Sequence, residues 1–238
     1  MQSLEGKVAM VTGAGGSVGS YVTETLLQAD LKVAVVYRSD RHRESLEKVR
    51  EGYPGRVKIL QADLNDFEQA EVAVTETIDT FGRVDFLVNP IGGWLGGKRL
   101  HEHSGEELDK MLNMDLKPTF HIMKSVLPVM AEQQDGKIIN FSSMAVFGGQ
   151  PGNAIYAASK AAVASLTEAA ASEYGKDGIR CYALAPSTIN SEANRNAMPD
   201  VDTSSWVDLE EIAEAIVYLC ASGDSLSSTT LKFTGEIS

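Results

Sequence analysis

KVAMVTGAGGSVGSYVTETLL, residues 7–27, decides the fold. Lys7 to Thr12 is an apolar run of strand length, Thr12 to Gly19 is a glycine-rich turn, and Val18, Tyr21, Val22, Thr25 and Leu26 recur at helical spacing. A strand that turns through glycines straight into a helix gathers free backbone N–H groups at the helix N-terminus. The glycines let the chain turn tightly and approach a bound group closely, and a pyrophosphate suits that point. Gly13, Gly15, Gly16, Ser17, Val18 and Gly19 are the candidate phosphate cradle, with Ser17 expected to cap the helix.

The same alternation runs outward along the chain. Strand-like KVAVVY (32–37), RVKILQ (56–61), FLVN (86–89), KIINFS (137–142), IRCYALA (179–185) and TLKF (230–233) are separated by helix-like stretches, among them 41–51, 66–81 and about 155–175. This order predicts an α/β fold, a doubly wound parallel sheet of about seven strands with helices on both faces. No Pro/Gly/Ser-rich linker or internal repeat divides residues 1–238, so a single domain is expected. The long polar stretch 187–206 between a strand and the next helix is expected to be a substrate lid.

Lys and Arg number 21 against 33 Asp and Glu, a net charge of −12, with no basic stripe to reverse it locally. Nucleic acid is therefore not an expected partner. Nor is a membrane, because no apolar run reaches the length of a span and the N-terminus lacks the order of a signal peptide. A cytoplasmic location is expected. Cys181 and Cys220 agree with a reducing compartment and read as core residues, and His42, His101, His103 and His121 show no metal-ligand spacing.

An acid that reads the ribose of NAD is expected at the end of the second strand, where this chain has Tyr37 and then Arg38. A guanidinium there offers bidentate bonds to a 2′-phosphate, so NADP(H) is favoured over NAD(H), although Asp40 lies close by. Arg41 and Arg43 read individually as solvated helix charges. Further on, Tyr156 and Lys160 stand four apart on one helical face, a spacing at which an ammonium can favour phenolate and bring the phenol toward a useful acid/base range. Ser142 and Ser143 follow the fifth strand, at the sheet edge where open α/β folds bind ligands, and adjacent strand residues face opposite sides.

These pieces in order (TGAGGSVG, Asp63-Leu64, Asn89 with Gly92, Ser143, Tyr156-x-x-x-Lys160, and a segment beginning at Pro186) resemble the short-chain dehydrogenase/reductase family over nearly the whole chain. The resemblance implies a seven-stranded Rossmann sheet, an NAD(P) cofactor, a small-molecule carbonyl or quinonoid substrate and a homodimer or homotetramer. It implies Tyr156 as acid/base, Lys160 as the group that lowers its pKa and holds the nicotinamide ribose, and Ser143, not Ser142, as partner of the substrate oxygen. Asp63, Leu64, Asn89, Gly92, Pro186, Thr188 and Ile189 join the cofactor contacts, and Trp94, Ser143, Gln150 and Tyr156 the substrate contacts. Asp115 stands where the family has an Asn supporting a proton-relay water, Pro90-Ile91 replaces Asn-Ala, and Ser187 follows Pro186 in place of Gly. GGWLGG (92–97) and the stretch from Pro186 to Trp206 are similar to dihydropteridine reductase and its bacterial relatives. Three functions stay open: hydride transfer to a carbonyl, reduction of a quinonoid pterin, and NADP binding with weak catalysis.

Overall fold

The computed structural model describes residues 2–223 and 230–235. Its strands and helices run β1 (Val8–Val11), α1 (Ser17–Gln28), β2 (Lys32–Tyr37), α2 (Arg43–Gly52), β3 (Val57–Gln61), α3 (Phe67–Phe81), β4 (Phe86–Asn89), α4 (Gly105–Met114) and α5 (Leu116–Gln133). They continue with β5 (Gly136–Phe141), α6 (Ala154–Tyr174), β6 (Ile179–Pro186), β7 (Ile189–Asn190), α7 (Glu192–Ala197), β8 (Val207–Asp208), α8 (Leu209–Ala221) and β9 (Thr230–Phe233). Seven strands form one parallel sheet in the order β3-β2-β1-β4-β5-β6-β9. The expected architecture is the one observed, down to the short TLKF strand at the edge.

The period of two along each strand sorts the core into two layers. Val11, Val35, Val88, Ile139 and Leu184 point to one face, where Val22, Leu26 and Leu27 of α1 and Ile212, Ile216 and Leu219 of α8 cover them. Met10, Ala34, Val36, Leu87, Ile138 and Cys181 point to the other, under Ala73 and Val74 of α3 and Ile122, Met123 and Val126 of α5. Strands buried on both faces read as continuous apolar runs, which is why the sequence shows no alternation there. Cys181 and Cys220 are both in this core, and burial pushes each thiol up to about 12.

The strand order turns back at β1 and β4, so the crevice at their carboxyl ends is where a ligand would sit. Stretch 187–206 is more ordered than its composition suggests. β7 and β8 pair with each other, Ser191 caps α7 by accepting from Asn194 N–H at 3.2 Å, and Arg195 donates to Asn190 Oδ1 at 2.6 Å. Among the described residues no helix is long and apolar enough to cross a membrane.

Candidate active site

The crevice between the carboxyl ends of β1, β2 and β4 is a cleft of about 270 Å³. Gly13, Gly15 and Gly16 form its floor, Arg38, Arg41 and His42 one end, Asp63, Leu64 and Asn65 a wall, and Gly92, Asn113 and Met114 the other end. Gly13 has φ +59°, so the turn after β1 needs a residue without a Cβ. Gly16, not Ser17, is the N-cap of α1, and it makes no side-chain cap. Ser17 is instead the first helical residue, which corrects its expected role and leaves the N-terminal N–H groups unclaimed by a hydroxyl.

Other expected contacts divide. Arg38, Asp63, Leu64 and Gly92 line the cleft together. Asn89 does not: its side chain is buried in a polar chain that runs from Thr12 Oγ1–H to Asn89 Oδ1, from Asn89 Nδ2–H to Asn140 Oδ1 at 3.3 Å, and from Asn140 Nδ2–H to Thr167 Oγ1 at 2.9 Å. That chain ties β1, β4, β5 and α6 together at the site, so Asn89 supports the cleft from below. Val18 packs against the core, and Pro186, Thr188 and Ile189 mark the sheet's carboxyl edge beyond the cleft. Asp40 is occupied by Gln61 Nε2–H at 2.9 Å and does not compete with Arg38. Lys48 and Arg50 are paired along α2 with Glu44 and Glu47, outside the cleft.

The residues expected to react converge from β5 and the first turns of α6. Ser143 is buried and its Oγ accepts Ala145 N–H at 3.2 Å, while the Tyr156 phenol lies near enough for the Ser143 hydroxyl to act on its pKa. Ser142 turns the other way and donates to Lys160 O at 2.9 Å. Lys160 is buried and directs its ammonium at Phe141 O (3.1 Å), Ile91 O (3.4 Å) and Asp115 Oδ1 (3.4 Å). Asp115, with no exposed surface, also accepts Gly93 N–H at 3.1 Å and the Ser159 hydroxyl at 2.7 Å. A Cβ on Gly92 would stand 2.5 Å from Lys160 Nζ and 2.7 Å from Asp115 Oδ1, so only glycine lets this pair close.

The electrostatics depart from expectation. Burial raises the Tyr156 pKa, the Ser143 bond opposes that, and the Asp115 charge adds to it. Burial also lowers Lys160, against the pull of Asp115. The lysine's charge is turned toward the carboxylate, and burial, with the Asp115 charge, favours the protonated phenol. Trp94 is 60% exposed while its indole N–H donates to Asn153 Oδ1 at 2.9 Å, and Asn153 Nδ2–H donates to Gln150 Oε1 at 2.9 Å. Trp94 and Gln150 are thus joined through one asparagine, outside the residues that line the cleft.

The chemistry of the cleft fits a nicotinamide dinucleotide. Asn65 Oδ1, on the wall, and Ser187 Oγ, after β6, are buried without a hydrogen-bond partner, and the glycine turn lies on the floor between the basic and polar ends. Sequence reasoning missed Asn65, Asn113, Met114 and His42. Asn113 and Met114 carried a signal in standing directly before Asp115, and His42 in standing four residues after Arg38, but its imidazole was weighed only as a metal ligand.

Residues 7–202 match the model of the short chain dehydrogenase family. The 3-oxoacyl-(acyl-carrier-protein) reductase FabG of Thermotoga maritima is 32% identical over 230 residues, with 93% of each chain covered. Levodione reductase superposes with a TM-score of 0.90 at 28% identity, covering 98% of this chain and 97% of that one. ElxO with NADP bound superposes with a TM-score of 0.86 at 26% identity, covering 95% and 97%.

Proposed function

The chain belongs to the short chain dehydrogenase family of oxidoreductases, and from that premise we propose that it is a reductase that transfers hydride from NADPH to a carbonyl carbon, with Tyr156 as the acid. The observation that carries the reading is the convergence of buried Ser143, of Tyr156, whose phenol burial holds above its ordinary pKa, and of buried Lys160, which lies against Gly92 of the glycine cleft. The reduced nicotinamide supplies the hydride when bound. As hydride reaches the carbonyl carbon, negative charge grows on its oxygen. Ser143, whose Oγ is held by Ala145 N–H, donates its hydroxyl hydrogen to that oxygen, and Tyr156 delivers the proton.

Lys160, anchored by Phe141 O and Ile91 O, orients the floor on which the nicotinamide ribose would rest. Asp115 holds Lys160 charged and in place. Arg38 at the far end supports NADPH over NADH, because a guanidinium pairs with a 2′-phosphate and gains nothing from a hydroxyl. Segment 187–206, rooted at the carboxyl edge of β6, serves as the lid over the substrate. The relatives that reduce 3-oxoacyl thioesters and levodione support a ketone or diketone. An exposed Trp94 anchored at its N–H supports a planar ring as a second substrate class, a quinonoid dihydropterin among them.

The test is NADPH oxidation with a cyclic diketone, a 3-oxoacyl thioester and a quinonoid dihydropterin as acceptors. Tyr156→Phe should lower turnover about 10²- to 10⁴-fold while NADPH binding persists. Turnover that survives in Tyr156→Phe refutes the proton assignment. Cofactor binding without reduction of any acceptor turns the reading toward a binding protein.

A further inference from the structure

Resting on the nicotinamide-nucleotide reading above, we propose that His42 is a specificity-determining residue of the cleft. With Arg38 and Arg41 it forms a site for a phosphate monoester on the adenosine ribose, and it takes up a proton as that phosphate binds.

After the buried Tyr37 the chain leaves β2, passes Arg38 and Ser39, and makes one 3-10 turn over Asp40–His42 before α2 begins. The turn folds back over the phosphate loop. The His42 ring lies so close on Gly15 that a Cβ there would come within 2.6 Å of the ring carbon Cδ2. A residue from the turn after β2 is thereby laid on the turn after β1, and its half-buried imidazole becomes part of the cleft wall together with Arg38 and Arg41.

The ring is neutral in this arrangement, because its Nε2 accepts the Arg41 Nε–H at 2.9 Å. Burial, and then the Arg41 charge, hold the imidazole below its ordinary pKa. The charged groups that line the cleft with it are Arg38, Arg41 and Asp63; the Gly15 turn beneath brings none, and Asp40 is held by Gln61. A phosphate monoester carries close to two negative charges at neutral pH, which outweigh the single Arg41 charge and favour the imidazolium. Once protonated, Nε2 becomes a donor and can no longer accept from Arg41. Imidazolium and released guanidinium then both face the phosphate. A ribose hydroxyl in the same place supplies no charge to drive the change, so the device separates NADPH from NADH.

The experiment is calorimetric titration of NADPH and of NADH into the protein at about pH 7.5, where the phosphate of free NADPH has already lost its second proton, each in two buffers of different protonation enthalpy. NADPH should bind with uptake of a fraction of a proton and NADH with none. His42→Gln, which keeps a polar side chain at a half-buried position, should lose the uptake and weaken NADPH about tenfold, the worth of one charge-assisted hydrogen bond, with NADH unchanged. Uptake that persists in His42→Gln, or equal weakening of both nucleotides, overturns the proposal. NADPH that binds without proton uptake removes this proposal alone, whereas failure of both nucleotides to bind removes the cofactor reading with it.

Discussion

Two buried carboxylates stand at opposite ends of the sheet and are treated differently. Asp85, just before β4 at the amino edge, is bonded to Lys7 Nζ at 2.8 Å, to Arg83 Nη2 at 2.6 Å and to Val8 N–H at 2.8 Å. Asp115, between α4 and α5 at the carboxyl edge, has one cation at 3.4 Å, with a serine hydroxyl and one backbone amide completing its shell. Lys7 and Arg83 reach the surface, so Asp85 is neutralised by charges that remain partly hydrated. Lys160 is as buried as its partner, and burial works against the charge of the lysine itself. The amino edge is built to stay as it is. At the carboxyl edge a single proton or a bound anion changes the balance.

The largest effect should come from breaking the pair at the carboxyl edge. Lys160→Met leaves Asp115 buried with no cation and should cost about 3–5 kcal/mol of stability in urea unfolding. Lys160→Met combined with Asp115→Leu should recover most of that stability yet leave hydride transfer abolished. If the double variant regains turnover, the pair has no part in the chemistry. At the amino edge, Asp85→Asn should cost about 1–3 kcal/mol by weakening the bonds to Lys7, Arg83 and Val8. Its kcat should stay at the native value, and a fall in kcat at constant folded fraction would erase the contrast between the two ends.

Asp115→Asn tests the smallest and most specific difference. The asparagine keeps Oδ1 as acceptor for Gly93 N–H, faces Ser159 with an amide NH2 to which the hydroxyl can turn its oxygen, and removes the charge that raises both Tyr156 and Lys160. Losing an anion disfavours the protonated phenol, so the Tyr156 pKa falls. For carbonyl reduction the phenol must carry its proton, and the alkaline limb of kcat against pH should therefore move to lower pH. Asp85→Asn should leave that limb where it is. An unshifted limb in Asp115→Asn would make Asp115 a purely structural counter-ion.

Much of the molecule was legible before any fold was seen. The strand, glycine turn and helix at 7–27, the apolar runs and the Tyr156–Lys160 spacing are local periodicities, and local geometry is what residue order encodes most directly. Strand alternation said that Ser142 and Ser143 face opposite ways and the resemblance singled out Ser143; in the structure Ser142 donates to Lys160 O while Ser143 Oγ accepts Ala145 N–H. The direction of the Asn89 side chain was not legible, for the complementary reason: its place at the end of β4 is local, but its rotamer is decided by Thr12 and Asn140 from neighbouring strands.

By itself, then, the sequence determined the layered sheet, the glycine cradle at its crevice and the serine, tyrosine and lysine beside it. Only the tertiary structure decided where charges meet. That Asp115 faces Lys160 across 3.4 Å, and that the His42 ring rests on Gly15, depends on packing between elements far apart in the chain. Burial and electrostatic interaction are set by what surrounds a group in space, and the order of residues states that only after the chain has folded.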